Sequence, residues 1–316
     1  MDKSKAPATS EAKLRFRADL LRALREYFFQ EHLLEVSTPV LRAYGASEVH
    51  LDNIQVGQLG YLQTSPEFAM KSLLAESPVS MFQVCPAFRG GETGARHRVE
   101  FQMLEWYRVG FSLKELMDDL IALLDHVVAQ LKVRHPIVFA AARPLRVSYK
   151  TLFEDEFCRD PHLLDLSGLQ SLGRDIPAEY LDANATCADY LDALFSLRVE
   201  PTLQAPTIVY DYPVSQAALA QVKRNEPGNL VSDRFEYYVS GMELANAYQE
   251  LSDPVELRRR FDENNQLRVI AGKPTMANDE TFLNLIGELP RCAGIALGVD
   301  RLAMILLGAG SIDEVN

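Results

Sequence analysis

The sequence has few cysteines, and no two of them are close. Cys85, Cys158, Cys187 and Cys292 form no CxxC pair, which argues against a disulfide framework or a zinc site and suits buried free thiols in a reducing compartment. The first residues, MDKSKAPATSEAK, lack the apolar core of a signal peptide, and no apolar run is long enough to span a bilayer. A soluble cytoplasmic protein with no membrane partner is expected. There is no Walker A sequence, no GxGxxG, no HExxH, no internal repeat and no low-complexity segment. Basic residues are in deficit, 32 Lys and Arg against 44 Asp and Glu, giving a net charge of -12. That balance disfavours a broad nucleic-acid surface but leaves room for a small basic pocket.

Of the 316 residues, 47% are hydrophobic, enough for a sizeable core in one large domain or one domain with an insertion. The chain is organised around FQVCPAFRGGETGARHRVEFQMLEWY, residues 82–107. Val79 to Cys85 is a short apolar arm. Val99 to Tyr107 alternates, with Val99, Phe101, Met103, Glu105 and Tyr107 on one face and Glu100, Gln102, Leu104 and Trp106 on the other, as a strand does. The loop between carries Arg89, Glu92, Arg96, His97 and Arg98 with three glycines. Such a loop suits a polyphosphate clamp, and Phe101 suits stacking on a base. The same spacing also fits an ordinary hairpin with a solvated basic tip.

Residues 1–10 read as a disordered tail, and Ser10 as the cap of a helix from Glu11 to Leu33 with Leu14, Leu20, Leu21, Leu24, Tyr27 and Phe28 on its apolar stripe. Leu34 to Leu41 reads as extended, with Pro39 placing it at an edge, a bulge or an interface. Ser65 suits an N-cap and Pro66 the first turn of the next helix. Ser112 and Glu115 form a capping box for a helix to Leu131. A strand is expected at Leu145 to Tyr149, a helical insertion over 151–201, and a buried strand at Thr207 to Tyr212. Phe235 to Val239, a Ser240-Gly241 turn and Met242 to Leu251 form a hairpin. Its return strand carries Glu243, Asn246 and Glu250, and a bulge near Asn246-Ala247 would bring both carboxylates to one face. There they would need a divalent cation or an ammonium, unless Glu250 is an edge residue in solvent. Asp253 caps a basic helix ending at Gly272, whose arginines read mostly as a solvated face. Finally GIALGVDR is a strand entering an apolar helix, with Asp300 suited to cap it.

Taken together, LEVSTPVL, TSPEF, FR…E…RH…EFQMLEWY, GMELANAYQEL and GIALGVDR, in that order, resemble the catalytic core of class II lysyl-tRNA synthetases. The resemblance covers residues 11–316 and implies an α+β fold, a class II aminoacyl-tRNA synthetase-like antiparallel sheet flanked by helices. Within the class the chain looks most like the family of elongation factor P–(R)-β-lysine ligases. Pro213 to Ala220, PVSQAALA, resembles that family's PxSQAxLA, and Ala296 stands where the synthetases usually carry Gly. The chain also begins at the catalytic core, with no anticodon-binding domain expected before it, and stops some residues short of where relatives end.

The resemblance implies ATP and Mg²⁺ as cofactors. It implies that Arg89 binds the α-phosphate and His97 the β- and γ-phosphates, with Phe101 and Arg301 on the two faces of adenine. Gly91, Glu92, Arg98, Leu244 and Gly298 belong to the same ATP site by this resemblance. Glu243 and Glu250 would hold Mg²⁺. Ser65, Pro66, Glu67 and Ala296 would line the amino-acid pocket, with Tyr107, Asn246 and Glu250 near the substrate amines. Arg89 and Arg301 would be catalytic. The implied partners are lysine or (R)-β-lysine, a lysine of elongation factor P as acceptor, and a second copy in a homodimer, with tRNA disfavoured. Two segments depart from the family: Arg89-Gly90-Gly91-Glu92 in place of RNEE, and His97-Arg98-Val99-Glu100-Phe101 in place of HNPEF. A truncated lysyl-tRNA synthetase and a non-catalytic regulatory paralogue stand as the competing readings.

Overall fold

The computed structural model describes residues 9–140, 143–181, 183–226 and 228–316. These fall into two units, one from Met1–Ala142 with Ser252–Asn316 and one from Arg143–Leu251. Residues 1–8 of the expected tail lie outside the described residues. Thr9, not Ser10, caps helix α1 (Ser10–Gln30), its hydroxyl accepting from the Ala12 N–H at 3.2 Å. The helix stops at Gln30, before Leu33, because the chain turns left-handed at His32, φ 59°. Phe16, Leu20, Ala23, Leu24, Tyr27 and Phe28 are buried, whereas Leu14 is 71% exposed and leaves the stripe.

The extended segment after α1 splits around Pro39. Strand β1 (Leu34–Glu35) lies parallel to β5, and β2 (Leu41–Arg42) joins β3 (Ile54–Val56) and β4 (Gly60–Leu62) in a small sheet ordered β2-β4-β3. Helix α2 (Glu67–Glu76) begins one residue later than expected. Pro66 is its N-cap, and the Ser65 hydroxyl accepts from the Glu67 N–H at 3.2 Å. Strands β5 (Met81–Phe88) and β6 (Glu100–Val109) form the central hairpin, each two or three residues longer at its far end than the pattern suggested. The capping box of Ser112 and Glu115 starts α3 (Leu113–Leu131), as expected. Both faces of β6 are buried, one against α1 and α3, where Phe28 stacks on Phe82 at 4.6 Å and tilts against Trp106 at 5.3 Å.

The second unit begins with β7 (Leu145–Ser148), parallel to β8 (Thr207–Tyr212). Between them run α4 (Tyr149–Phe157), α5 (Leu166–Leu172) and α6 (Cys187–Leu194). Tyr149, Phe153, Leu169, Leu194 and Phe195 are buried here, Tyr149 stacking on Phe195 at 4.8 Å. Strand β9 (Val222–Arg224) pairs with β10 (Leu230–Tyr238), which pairs with β8 and with β11 (Glu243–Gln249). The β10–β11 turn is a two-residue loop with Ser240 and Gly241 at φ 53° and 62°, the positive values that keep strand twist across a tight hairpin.

The chain returns to the first unit with α7 (Pro254–Ile270), capped by Asp253, which accepts from Val255 N–H at 2.9 Å. Arg258, Arg259 and Arg260 pair with surface glutamates, but Arg268 is buried and donates to the carbonyls of Pro274, Glu48 and Leu51 at 2.7, 2.9 and 3.2 Å. The reading of a solvated face fails at that position. After α8 (Glu280–Leu285), β12 (Cys292–Gly298) pairs antiparallel with β6 and runs into α9 (Val299–Leu307). Asp300 does not cap α9. It is buried, pairs with Arg17 and accepts from the Gln102 N–H at 2.7 Å.

The fold is α+β: β5–β6, β6–β12, β8–β10, β9–β10 and β10–β11 pair antiparallel, and β1–β5 and β7–β8 pair parallel. All four cysteines are free; Cys85 and Cys292 are buried, Cys187 is half-buried, and Cys158 is exposed in the left-handed cap of α4. Among the described residues no helix is long and apolar enough to cross a membrane.

Candidate active site

In the first unit, the β5–β6 loop is held in shape by backbone bonds from Arg89 N–H to Val99 C=O at 2.9 Å and from Gly90 N–H to Asp52 C=O at 2.7 Å. Gly91 takes φ 74°, a value that a side chain would strain. The Arg89 guanidinium lies 5.3 Å from the centre of the Phe101 ring, and its Nη1 is 3.7 Å from the Glu92 carboxylate. Glu92 thus reaches the arginine despite the shifted motif. Arg301, at the start of α9, donates through Nη2 to His97 Nε2 at 2.6 Å. Partial desolvation and the Arg301 cation hold His97 below the usual imidazole range, so the ring accepts as the neutral form. Arg89 and His97, the expected phosphate ligands, and Arg301, expected against adenine, therefore lie in one unit. Arg98 instead bonds Asp313 near the C-terminus, through Nε at 3.1 Å.

The same unit holds a buried carboxyl, Glu105, and a half-buried one, Glu67. Glu105 is 2% exposed on β6. Tyr107, two residues on and on the same face, donates its hydroxyl to Glu105 Oε2 at 3.0 Å, and Ser65 also bonds the carboxylate. Burial, reinforced by the nearby Glu67 charge, pushes the Glu105 carboxyl up to about 8. Glu67 pairs with Lys71, whose side chain is itself buried. Opposite Glu105 and Tyr107 on β12 stand Ala296 and Gly294, and opposite Met103 stands Gly298. Directly paired residues of an antiparallel ladder share a face. Small residues of β12 thus stand directly across from Glu105 and Tyr107.

In the second unit, β11 carries the other expected residues. Tyr237 pairs with Ala245 but Tyr238 pairs with Glu243, so the extra residue is Leu244 and the bulge falls two residues before the expected place at Asn246-Ala247. The bulge puts Glu243 on the face of Asn246 and Tyr248, while Glu250, the other carboxylate expected there, follows the end of the strand at Gln249. Leu244 itself is buried. Glu250 is 3% exposed, which rules out the alternative of an edge residue in solvent. Asn246 is held at both ends, receiving Arg234 Nη2 at 3.2 Å and donating to the Tyr248 hydroxyl at 2.9 Å. Arg234 lies over the Tyr212 and Tyr248 rings at 4.4 and 5.5 Å and bonds the Gln216 carbonyl of the PVSQAALA segment at 2.7 Å.

Sequence reasoning missed Glu105, Lys71 and Arg234. The signal for Glu105 was present, as the one acid on an otherwise apolar or aromatic face of β6.

The description of class II tRNA synthetases (D, K and N) matches residues 5–316. The chain belongs to the class II tRNA synthetase family. Within it, the chain is similar over nearly its full length to proteins named elongation factor P--(R)-beta-lysine ligase. That of Pseudoalteromonas translucida (strain TAC 125) is 38% identical over 323 residues, covering 98% of this chain and 96% of the relative. That of Vibrio atlanticus (strain LGP32) is 36% identical over 323 residues with the same coverage. That of Histophilus somni (strain 2336) is 37% identical over 321 residues, 98% of this chain and 95% of its own.

Proposed function

We propose that the chain is an ATP-dependent ligase of the cytoplasm that activates a lysine-type amino acid, (R)-β-lysine preferred, and passes it to a lysine side chain of elongation factor P. The observation that carries this reading is the pairing, within one unit, of a cationic loop with a buried carboxylate group. Arg89, His97 and Arg301 suit a polyphosphate, while Glu67, Glu105 and Tyr107 suit ammonium groups. The relatives' name supplies the acceptor and the β-lysine preference.

The substrate carboxylate attacks the α-phosphorus of ATP and pyrophosphate leaves. Arg89 neutralises charge at the α-phosphate, and His97 and Arg301 bind the leaving phosphates and the adenine. Phe101 stacks on the base. In the first unit Ser65, Pro66, Glu67, Tyr107 and Ala296 bind the amino acid. The acceptor amine then attacks the acyl carbon, releases AMP and loses its proton to solvent, leaving an amide. Among the described residues no group of three His, Cys, Asp or Glu side chains is placed to hold a metal alone. Two carboxylates are enough for Mg²⁺, which takes further oxygens from phosphates and water. Glu243 and Glu250 fit that role, and the ion would neutralise phosphate charge when bound.

The protein acts as a homodimer in this reading. Support comes from exposed apolar side chains along α1 and the short strands after it, Leu14, Phe29, Leu34 and Leu41. The acidic balance of the chain, -12, supports a protein rather than tRNA as acceptor. The test gives the protein ATP, Mg²⁺ and radiolabelled lysine or β-lysine, with purified elongation factor P and tRNA together. Label on elongation factor P is expected. Label on tRNA would make the chain a tRNA-charging enzyme, and label on neither would make it a non-catalytic paralogue.

A further inference from the structure

Beyond α9 the chain makes a short 3-10 turn, Ile312–Glu314, that the reading above does not use. The turn is built from its own residues. The Ser311 hydroxyl accepts from the Asp313 N–H at 3.3 Å, and Glu314 Oε1 accepts from the N–H groups of Gly310 and Ser311, both at 3.0 Å. Ile312 and Val315 are buried, so the turn is packed into the first unit. On its outer side Lys13 of α1 donates to the Asp313 carbonyl at 3.0 Å. The backbone at Asp313 is thus fixed from several directions before any contact of its side chain is counted.

That side chain meets the tip of the β5–β6 loop. The tip is a tight turn in which Gly94 and His97 exchange backbone hydrogen bonds at 3.2 and 3.3 Å. Helix α9 and the turn after it hold this tip at three points. Arg301 bonds His97, the Ile312 N–H donates to the Ala95 carbonyl at 2.8 Å, and Arg98 donates to Asp313 through Nε at 3.1 Å and also through Nη2. The last two contacts bracket Arg96 and His97. Arg98 stands where the HNPEF of the family has Asn, and here its guanidinium is turned to Asp313. We propose that Asp313 is a positioning residue for the phosphate loop: by holding Arg98 it fixes the loop tip that presents His97 and Arg301 to the ATP phosphates. A loop ordered beforehand loses less conformational entropy when its ligand binds, so the contact acts on ATP affinity. The inference rests on the ATP site of the proposed function and deepens it, giving Arg98 the work of holding the loop in place of a contact with ATP.

The experiment measures the Kd for ATP with Mg²⁺ by calorimetry on the full chain, beside the KM for lysine substrates at saturating ATP and the unfolding midpoint. The pair is exposed, 40% at the Arg98 side chain and 74% at that of Asp313, so its loss has the modest size of a surface ion pair. Asp313→Ala and Arg98→Ala should each raise the Kd for ATP by about 3- to 5-fold. The double variant should go no further than either alone, since both remove one contact. Asp313→Arg should raise the Kd more, and adding Arg98→Asp should bring it back toward the wild-type value. In the alanine variants the KM for lysine substrates and the unfolding midpoint should stay at wild-type values. Should Asp313→Arg fail to fold, the alanine pair carries the comparison by itself. Unchanged ATP binding in Asp313→Ala would overturn the proposal, as would additive losses in the double variant. Tighter binding in Asp313→Ala with weaker binding in Arg98→Ala would also overturn it, by making Arg98 an ATP ligand that Asp313 withholds. The expected pattern of ATP binding without amino-acid-dependent pyrophosphate exchange would sink the reaction assignment and leave the positioning role standing, whereas a wild-type chain that binds no ATP would sink both.

Discussion

The two faces of β6 carry buried charge in opposite ways. On one face, Asp119 of α3 receives Trp106 Nε1 at 2.9 Å, Arg108 Nε at 2.8 Å, the Arg108 Nη2 group, and the Tyr27 hydroxyl at 2.6 Å. One carboxylate meets one guanidinium, and both of its oxygens are satisfied. On the other face, Glu105 is buried beside the Glu67 charge, with Ser65, Tyr107 and Lys71 acting on it, and burial pushes its carboxyl up to about 8. The first arrangement ties α1, α3 and the sheet together. The second holds a carboxyl that burial keeps protonated and that an incoming ammonium would ionise. A buried polar group that is fully paired serves the scaffold, whereas an unbalanced one costs stability and so marks a binding role.

The largest expected effect falls on the balanced face. Asp119→Ala leaves the buried Arg108 cation with only the half-exposed Glu31 carboxylate at 3.4 Å, and should cost about 3 kcal/mol of stability in urea denaturation. The KM of whatever protein remains folded should not change. Next comes the phosphate loop: Arg89→Ala should slow pyrophosphate exchange by ~100-fold or more, with its unfolding midpoint unmoved, because the contact acts in the transition state. A denaturation shift for Arg89→Ala, or near-normal exchange, would erase the contrast between the two faces.

Glu105 offers a sharper test through pH. Its folded value, about 8, lies above the roughly 4.3 of an unfolded glutamate. Its stabilising effect is therefore complete below the unfolded value and lost as pH rises through about 8. A substrate ammonium favours the carboxylate instead, so affinity should strengthen as pH is raised toward 8. Glu105→Gln should abolish that trend, raise KM for lysine substrates ~10-fold, and spare the protein part of its alkaline destabilisation. A wild-type KM that is flat from pH 6 to 8 would mean that Glu105 does not meet the ammonium.

Much of this contrast was visible in the sequence, and some could not be. The alternation of Val99 to Tyr107 showed a strand with two faces, and its single Glu on one face was the trace of Glu105. Alternation does not tell solvent from core, so the burial of both faces was hidden. The bulge on β11 was required by the odd spacing of Glu243 and Glu250, but nothing in Leu244-Ala245-Asn246 marks which residue is extra. Arg268 and Asp300 were misjudged for one reason. Their partners, the Glu48 carbonyl and Arg17, stand 220 and 283 residues away in sequence, and local capping or surface patterns carry no information about them.

The smallest effect tests the site face most finely. Ala296 pairs directly with Glu105 across β12 and β6, between Gly294 and Gly298 on the same face. Its methyl group therefore borders the space beside Glu105 and Tyr107. Ala296→Gly removes only that methyl and should open room for an amino group on the α-carbon. One methyl in a pocket discriminates by roughly 10-fold at the low end of the range, so the kcat/KM ratio of α-lysine to β-lysine should rise by about 3- to 10-fold. The change should come from improved α-lysine use, and stability should fall by no more than about 1 kcal/mol, the cost of Gly in a strand. Measuring exchange with both isomers decides it. A constant ratio would mean that the methyl group does not border the amino group that distinguishes the isomers. The choice would then rest with the carboxyl groups, where the Glu105 variant already probes it.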